Sequence, residues 1–404
     1  MTSSTTVIGD RRRQAYERAS TIRRHPARSR PSTRPASPPP TAFYVLGLIV
    51  TGFVMLGLVM VLSASSIREF HQGRSPWRLF NRQLVWAILG ALAMWVTLRI
   101  PYHFWRKLVR PGLAVAYGMM LLPLVPQLGS KVNGANAWVA VGGITFQPSE
   151  FLKLAVLLYC ADLLAKREAA MADLSRTLKP AMVVAAVAAA LCLMQGDLGS
   201  AIVLGAIVFA VAFIGGAPLT PLLGSGVAAG AIGLLFVFSS QRRFNRFTAF
   251  LDITGHKDYL SYQTYQAMIA IAQGGPVGSG PGRGLNKLGD FLPLAQSDFI
   301  FAVIGEELGF VGVVAVLGGF VVLAYMGIQV ALAARDRFGM LLAGGIASWL
   351  VVQAIINVGG VTGLMPVTGL TLPFFSAGGS SLFVCMAAAG LLMNVARHVP
   401  PARR

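Results

Sequence analysis

About ten long apolar runs dominate this chain: residues 42–66, 82–98, 109–127, 149–165, 180–195, 199–216, 219–239, 298–330, 340–362 and 379–396. A helix needs about 20 mostly apolar residues to cross the hydrocarbon of a bilayer. In lipid, only structures that satisfy their own backbone hydrogen bonds can span. The expected fold is therefore an all-α polytopic membrane protein of about ten transmembrane helices over residues 42–397. Charged residues are 12% of the 404 and hydrophobic ones 55%, about half the charged fraction of a soluble domain. The 298–330 run is long for one span, so it is expected to tilt or to begin with a turn outside the hydrocarbon.

The net charge of +19 looks like a nucleic-acid signal, but its placement argues against one. Nine arginines precede residue 41, in a stretch rich in Pro, Ser and Thr that cannot bury enough surface to fold. Residues 1–41 are expected to be a disordered basic cytoplasmic tail facing anionic lipid, and 398–404 a short cytoplasmic tail. No apolar h-region precedes the first long run, so the tail does not read as a secretory signal peptide. With the N-terminus inside, cytoplasmic segments hold 22 of the 34 Lys and Arg and the opposite side 11. That bias places both termini in the cytoplasm. Cys160, Cys192 and Cys385 lie in apolar runs without CxxC spacing and read as buried thiols.

A large extracytoplasmic loop over 240–297, between helices 7 and 8, follows from that orientation. Its aromatic and apolar residues, and an amphipathic helix expected at 262–273, favour a structured loop lying on the membrane. It carries Arg242, Arg243, Arg246, Lys257, Arg283 and Lys287 against Asp252, Asp258 and Asp290, a net of +3. Such a basic rim points to an anionic substrate, with phosphate the obvious group. The run Gly274-Gly-Pro-Val-Gly278-Ser-Gly280-Pro-Gly282-Arg-Gly284 lacks the P-loop and GxGxxG patterns. It reads either as a tight turn between two membrane-lying helices or as an anion cradle.

The loop ends at Asp298, a carboxylate at the mouth of a membrane segment, where a functional role is the default hypothesis. Glu306 and Glu307 follow eight and nine residues later. Eight residues of helix give about 12 Å of rise and about 80° of rotation, beyond the roughly 5–9.5 Å used by carboxylate pairs in sugar hydrolysis. On a continuous helix Asp298 acts without them, and they are expected to pair with a cation in the bundle. Asp197 sits at a turn between two runs, where it reads as an N-cap or as a site residue. Glu150 and Lys153, three apart, share a helix face and can pair. Lys153 reads as either snorkelling or facing substrate. His25, His71, His103 and His256 show no metal-ligand spacing.

Further stretches complete a pattern. Asn133-Gly-Ala-Asn-Ala-Trp138 runs into Gln147-Pro-Ser-Glu-Phe-Leu-Lys153, followed by Gly196-Asp197-Leu-Gly199, Tyr262-Gln263 and Phe291-Leu-Pro293. Ser297-Asp-Phe-Ile-Phe301, Gly305-Glu-Glu-Leu-Gly309, Asn357-Val-Gly359 and Gly369-Leu-Thr-Leu-Pro-Phe-Phe-Ser376-Ala-Gly-Gly-Ser-Ser381 come next. In this order they resemble the SEDS family (shape, elongation, division and sporulation), the FtsW/RodA peptidoglycan polymerases, and the division (FtsW) branch more than the elongation (RodA) branch. The resemblance implies a ten-helix plan and polymerisation of lipid II at the outer face of the cytoplasmic membrane, at the division septum. It implies Asp298 as the essential aspartate and a class B penicillin-binding protein, with other divisome proteins, as partners. Lys153, Asp197, Arg246, Gln263, Arg283, Lys287 and Ser380 are the expected substrate-binding residues. Ala137, Leu294, Gln296 and Thr368 depart from residues common in the family. The reaction this implies is inverting glycosyl transfer, with Asp298 as general base and Arg/Lys holding the pyrophosphate. A divalent cation (Mg2+ or Mn2+) is the expected helper, with no organic cofactor. Two other readings stay open: a flippase for a lipid-linked precursor, and a non-catalytic divisome scaffold.

Overall fold

A computed structural model describes residues 41–132, 135–142, 144–170, 173–285 and 292–399. The tail expected over 1–41 lies almost wholly outside the described residues, as do Asn133, Gly134 and Lys287. Twelve α-helices are described. Seven come first: α1 (Thr41–His71), α2 (Arg78–Arg99), α3 (Tyr102–Leu121), α4 (Pro148–Lys166), α5 (Leu178–Met194), α6 (Leu198–Ile214) and α7 (Leu219–Phe238). The large loop holds α8 (Gln241–Leu251) and α9 (Tyr262–Gly274), and α10 (Ile300–Ala333), α11 (Arg337–Val361) and α12 (Gly379–Arg397) follow. The loop is structured and has a helix where the sequence places one.

Six helices (α1, α2, α7, α10, α11 and α12) are long and apolar enough to cross a membrane, and α5 and α6 are shorter apolar helices. Charge keeps α3 and α4 from that standard. Arg106, Lys107 and Arg110 lie in α3, and Glu150, Lys153, Asp162 and Lys166 in α4. Burial sorts the bundle. The apolar window of α12 is 89% buried and that of α11 72%, whereas that of α7 is 6% buried. The first two form the centre; α7 turns nearly all of its surface outward.

Small residues let the central helices meet closely, as expected where lipid gives helices no hydrophobic reason to associate. A Cβ on Gly379 would lie 2.1 Å from Trp86, and one on Gly390 would lie 2.1 Å from the Thr97 hydroxyl. Thr97 Oγ1 donates across this contact to Ala387 O at 3.0 Å. At the far end, the Asn394 amide donates to Thr97 O, Leu98 O and Ile100 O (2.9, 2.8 and 2.7 Å), closing the C-terminus of α2. The Tyr102 N–H donates back to Asn394 Oδ1 (3.2 Å), so one buried side chain ties the turn into α3.

A three-stranded antiparallel sheet joins α3 to α4: β1 (Gly129–Val132), β2 (Ala135–Val141) and β3 (Ile144–Phe146), in the order β1-β2-β3. None of the elements read from the sequence includes this sheet. Its missed signal is the period of two in β2, where Ala137 and Val139 are buried and Asn136 and Ala140 exposed.

The long α10 resolves into two pieces. Gly309 has φ +65° and ψ −161°, which breaks the helix. A break inside lipid strands backbone groups at several kcal/mol each. Here the glycine-rich segment enters the gap. Phe310 N–H donates to Gly275 O (2.8 Å) and Val311 N–H to Pro276 O (3.1 Å). In return, the Ser279 and Gly280 amides donate to Glu306 O and Glu307 O, both at 3.0 Å. Residues 310–333 still suffice for a span.

The fit demands glycine at Gly278, with φ +80° and a would-be Cβ 2.2 Å from Glu307 O. Gly282 has φ +80° but open space around its Cβ position. Gly282→Ala should therefore cost only backbone strain, about 1–3 kcal/mol. Gly278→Ala should cost clearly more, because backbone must also move. Thermal unfolding of the two purified variants in one detergent checks this; equal midpoints would contradict the interlock.

Candidate active site

A cavity of about 1040 Å³ opens where the β-sheet, the α5–α6 turn, α8, α9 and the 294–298 and 365–371 segments converge. Its lining includes Asp298, Asp197, Glu150, Arg246 and Gln263. Five residues from five separate stretches of sequence thus border one cavity.

Asp298 is half-buried in the turn just before α10. Leu294 shapes that turn in the left-handed region (φ +59°), its carbonyl accepting the Ser297 and Phe299 N–H groups at 3.0 and 3.4 Å. The segment between α11 and α12 then clamps it. Ser376 Oγ donates to Ser297 O (2.6 Å), the Ala377 N–H to Gln296 O (2.8 Å), and Asn357 Nδ2 to Asp298 O (2.9 Å). Burial pushes the Asp298 carboxyl up to about 6, against the opposing pull of the Ser297 hydroxyl and the Arg246 guanidinium. The group lies outside the helix, so partial desolvation acts on it without the full cost of the hydrocarbon.

Lys153 does not reach the cavity. It is fully buried behind Glu150, with Nζ 2.8 Å from Glu150 Oε1 and 3.2 Å from Gln353 Oε1, and 5.9 Å from the Trp349 ring centroid. Of its two sequence readings, neither snorkelling nor direct substrate contact describes this place; the i,i+3 pairing with Glu150 does. Gln353 extends the network to Thr371 O (3.0 Å), and the Thr371 hydroxyl meets that of Ser381 at 2.8 Å.

Asp197 is both an N-cap and a lining residue. Its Oδ1 accepts the Ser200 N–H at 2.9 Å, while Oδ2 accepts from Gln147 Nε2 (2.8 Å) and Ser149 Oγ (3.1 Å). Ser380 is buried and accepts the Gln147 N–H at 3.1 Å, which fixes the corner between β3 and α4. Arg246 is exposed and lines the cavity with Gln263, whereas Arg283 is exposed outside the lining. Lys287 lies outside the described residues.

Glu306 and Glu307 serve the helix break. Ser63 Oγ donates to both Glu307 oxygens at 2.6 and 2.7 Å, and the Gly282 N–H to Glu307 Oε2 at 2.9 Å. The Leu285 N–H donates to Glu306 Oε1 at 2.5 Å. The glycine-rich segment therefore does cradle anions, but they are the protein's own carboxylates.

Arg82, Arg243 and Gln147 also line the cavity; Arg243 belongs to the basic rim read from the sequence and Gln147 to the motif running to Lys153, whereas Arg82 has no site role there. Arg82 opens the second apolar run, where it reads as a flanking charge. Arg243 lies 3.8 Å above the Phe236 ring centroid and donates to Phe236 O and Ser239 Oγ, each at 2.9 Å, binding α8 to the end of α7. Among the described residues, no group of three or more His, Cys, Asp or Glu side chains forms a metal cluster.

The chain matches the family described as "Cell cycle protein" (FtsW/RodA/SpoVE) over residues 44–400. A protein of Trichlorobacter lovleyi named "Probable peptidoglycan glycosyltransferase FtsW" is 40% identical over 354 residues, covering 87% of this chain and 92% of the relative. A chain from a structure described as "Structural coordination of polymerization and crosslinking by a peptidoglycan synthase complex" superposes with a TM-score of 0.73 at 31% identity. That match covers 88% of this chain and 97% of the other. The rod shape determining protein RodA of Thermus thermophilus gives a TM-score of 0.65 at 32% identity, covering 88% and 97%. With the family model matched over most of its length and relatives at about 40% identity, the chain belongs to the FtsW/RodA/SpoVE family of cell cycle proteins.

Proposed function

We propose that this chain is a peptidoglycan glycosyltransferase of the division type. It polymerises lipid II into glycan strands at the outer face of the cytoplasmic membrane by inverting transfer, with Asp298 as general base. The observation that carries this reading is a partly desolvated carboxylate beside a cation, Arg246, on the wall of one large cavity. The relative named as a peptidoglycan glycosyltransferase supports the reaction class.

Asp298 takes the proton from the acceptor sugar hydroxyl while that oxygen attacks the anomeric carbon of the donor. The bond from that carbon to the diphosphate oxygen breaks, and the diphosphate leaves with the electron pair. Arg246 neutralises charge developing on the leaving group, and Gln263 donates a hydrogen bond from the same lining. Asp197, Lys153 and Ser380 act by holding the walls. Mg2+ or Mn2+ would enter with the diphosphate that binds it, and no step depends on its position. The partner in this reading is a class B penicillin-binding protein within the divisome, which the likeness to a peptidoglycan synthase complex supports. Both termini lie in the cytoplasm, and the protein works at the septum.

Asp298→Asn keeps shape and loses the base. In a lipid II polymerisation gel with the co-expressed partner, the rate should fall about 10²–10⁴-fold. Wild-type polymer from this variant would refute the base. Lipid scrambling in vesicles without polymer from the wild type would favour a flippase, and growth of a depletion strain on Asp298→Ala a scaffold.

A base works deprotonated, so the rate should approach a plateau above pH about 7, stand at about half of it near pH 6 and fall to about a tenth at pH 5. Arg246→Ala removes a charge that lowers the Asp298 pKa. It should shift this acid limb to higher pH and raise KM for lipid II about tenfold. A pH series of initial rates on both proteins checks the pair.

A further inference from the structure

Asn357, on α11, is buried at 5% exposure, and its amide lies between two backbone carbonyls. One N–H donates to Asp298 O at 2.9 Å and the other to Leu370 O at 2.7 Å. The two carbonyls fix which way the amide faces, because a flipped side chain would oppose an oxygen to both of them. Its Oδ1 is buried with no hydrogen-bond partner among the described residues. Asn357, Asp298, Thr368 and Gly369 border a recess of about 10 Å³ behind the cavity wall. The segment that Asn357 holds passes close to the carboxylate: a Cβ on Gly369, at φ +75°, would lie 3.8 Å from Asp298 Oδ2.

A side chain kept for helix packing alone would not need two donors at this place. Leu or Met would fill the volume without leaving a buried oxygen unpaired. What the amide achieves, and an apolar residue would not, is to bind the aspartate turn, 59 residues before it in the chain, to the 369–371 segment, 13 residues after it. The Ser376–Ser297 bond holds the neighbouring residue from the other side.

We propose that Asn357 is a positioning residue for the glycosyl transfer: it donates to the Asp298 and Leu370 carbonyls and so sets the carboxylate against the acceptor hydroxyl. This rests on the reading of Asp298 as general base. A base displaced by about 1 Å loses on the order of 10²-fold in rate, and a substrate held by other residues keeps its affinity.

The test measures initial rates of lipid II polymerisation against substrate concentration, using the full chain co-expressed with its partner. The variants are Asn357→Ala, Asn357→Leu and Asn357→Gln, with Asp298→Asn as the control. Leu is near in volume and lacks the donors; Gln keeps them on a longer arm. Ala and Leu should lower kcat about 100-fold with KM within about threefold of wild type, and Gln should recover part of kcat. The proposal is overturned if Leu or Ala keeps kcat within threefold, or if KM rises in step with the loss. No recovery with Gln, or failure of all three variants to fold to monodisperse protein, overturns it too, making Asn357 a structural residue. An active Asp298→Asn control would instead overturn the general base, and separates that failure from this one.

Discussion

A backbone broken inside a membrane must find its hydrogen bonds within the protein, and the break at Gly309 organises much of this molecule. The glycine-rich segment enters the gap and supplies two carbonyls and two amides. Gly274 then lies so close to α10 that a Cβ there would sit 1.9 Å from Gly305 O. This stitches α9 along the first piece of α10, whose start is fixed by the Asp298 turn. The Gln263 wall of the cavity and the Asp298 wall are therefore two ends of one interlock. The carboxylates of Glu306 and Glu307 finish it by accepting amides of the incoming segment.

This division of labour explains why three acidic residues within ten positions do not form one acidic site. The rise of a continuous helix does not itself settle this, because Asp298 lies in the turn before α10, whereas Glu306 and Glu307 lie within the helix, close to the break. The structure adds what occupies them. Two buried carboxylates meet hydroxyl and amide donors, which is the condition for keeping charge out of water. The third sits at the cavity, outside the helix.

Much of this was legible because it is local. The i,i+3 spacing of Glu150 and Lys153, the N-cap position of Asp197 and the amphipathic stretch at α9 depend on neighbours in sequence, and each is found where the sequence puts it. Asp298 stood out because a carboxylate at the edge of an apolar run is costly. The parts that stayed hidden depend on partners far along the chain. Asn357 acquires its meaning from carbonyls 59 and 13 residues away, and Ser376 from one 79 away. Gly309 looks like one more small residue in an apolar run until the segment 30 residues earlier fills its gap. Arg82 reads as a flanking charge because nothing near it in sequence forms the cavity it lines.

The three carboxylates on the cavity wall show how environment divides roles. Asp197 accepts from a backbone amide, a glutamine and a serine, so its lone pairs serve the turn between α5 and α6. Glu150 is bound to the ammonium of a buried lysine, and removing either partner would leave a charge in the protein interior. A general base needs the opposite arrangement: a fixed position but a lone pair left for substrate. In the proposed reading Asp298 approaches this arrangement: apart from the pull of the Ser297 hydroxyl, its fixation comes through the backbone. Asn357 and Ser376 grip carbonyls of the turn, not the carboxylate. Rigidity is thus supplied at the main chain, while partial burial sets the basicity of the side chain. Holding the same aspartate through its carboxylate would fix its place equally well and leave no lone pair for the proposed proton transfer.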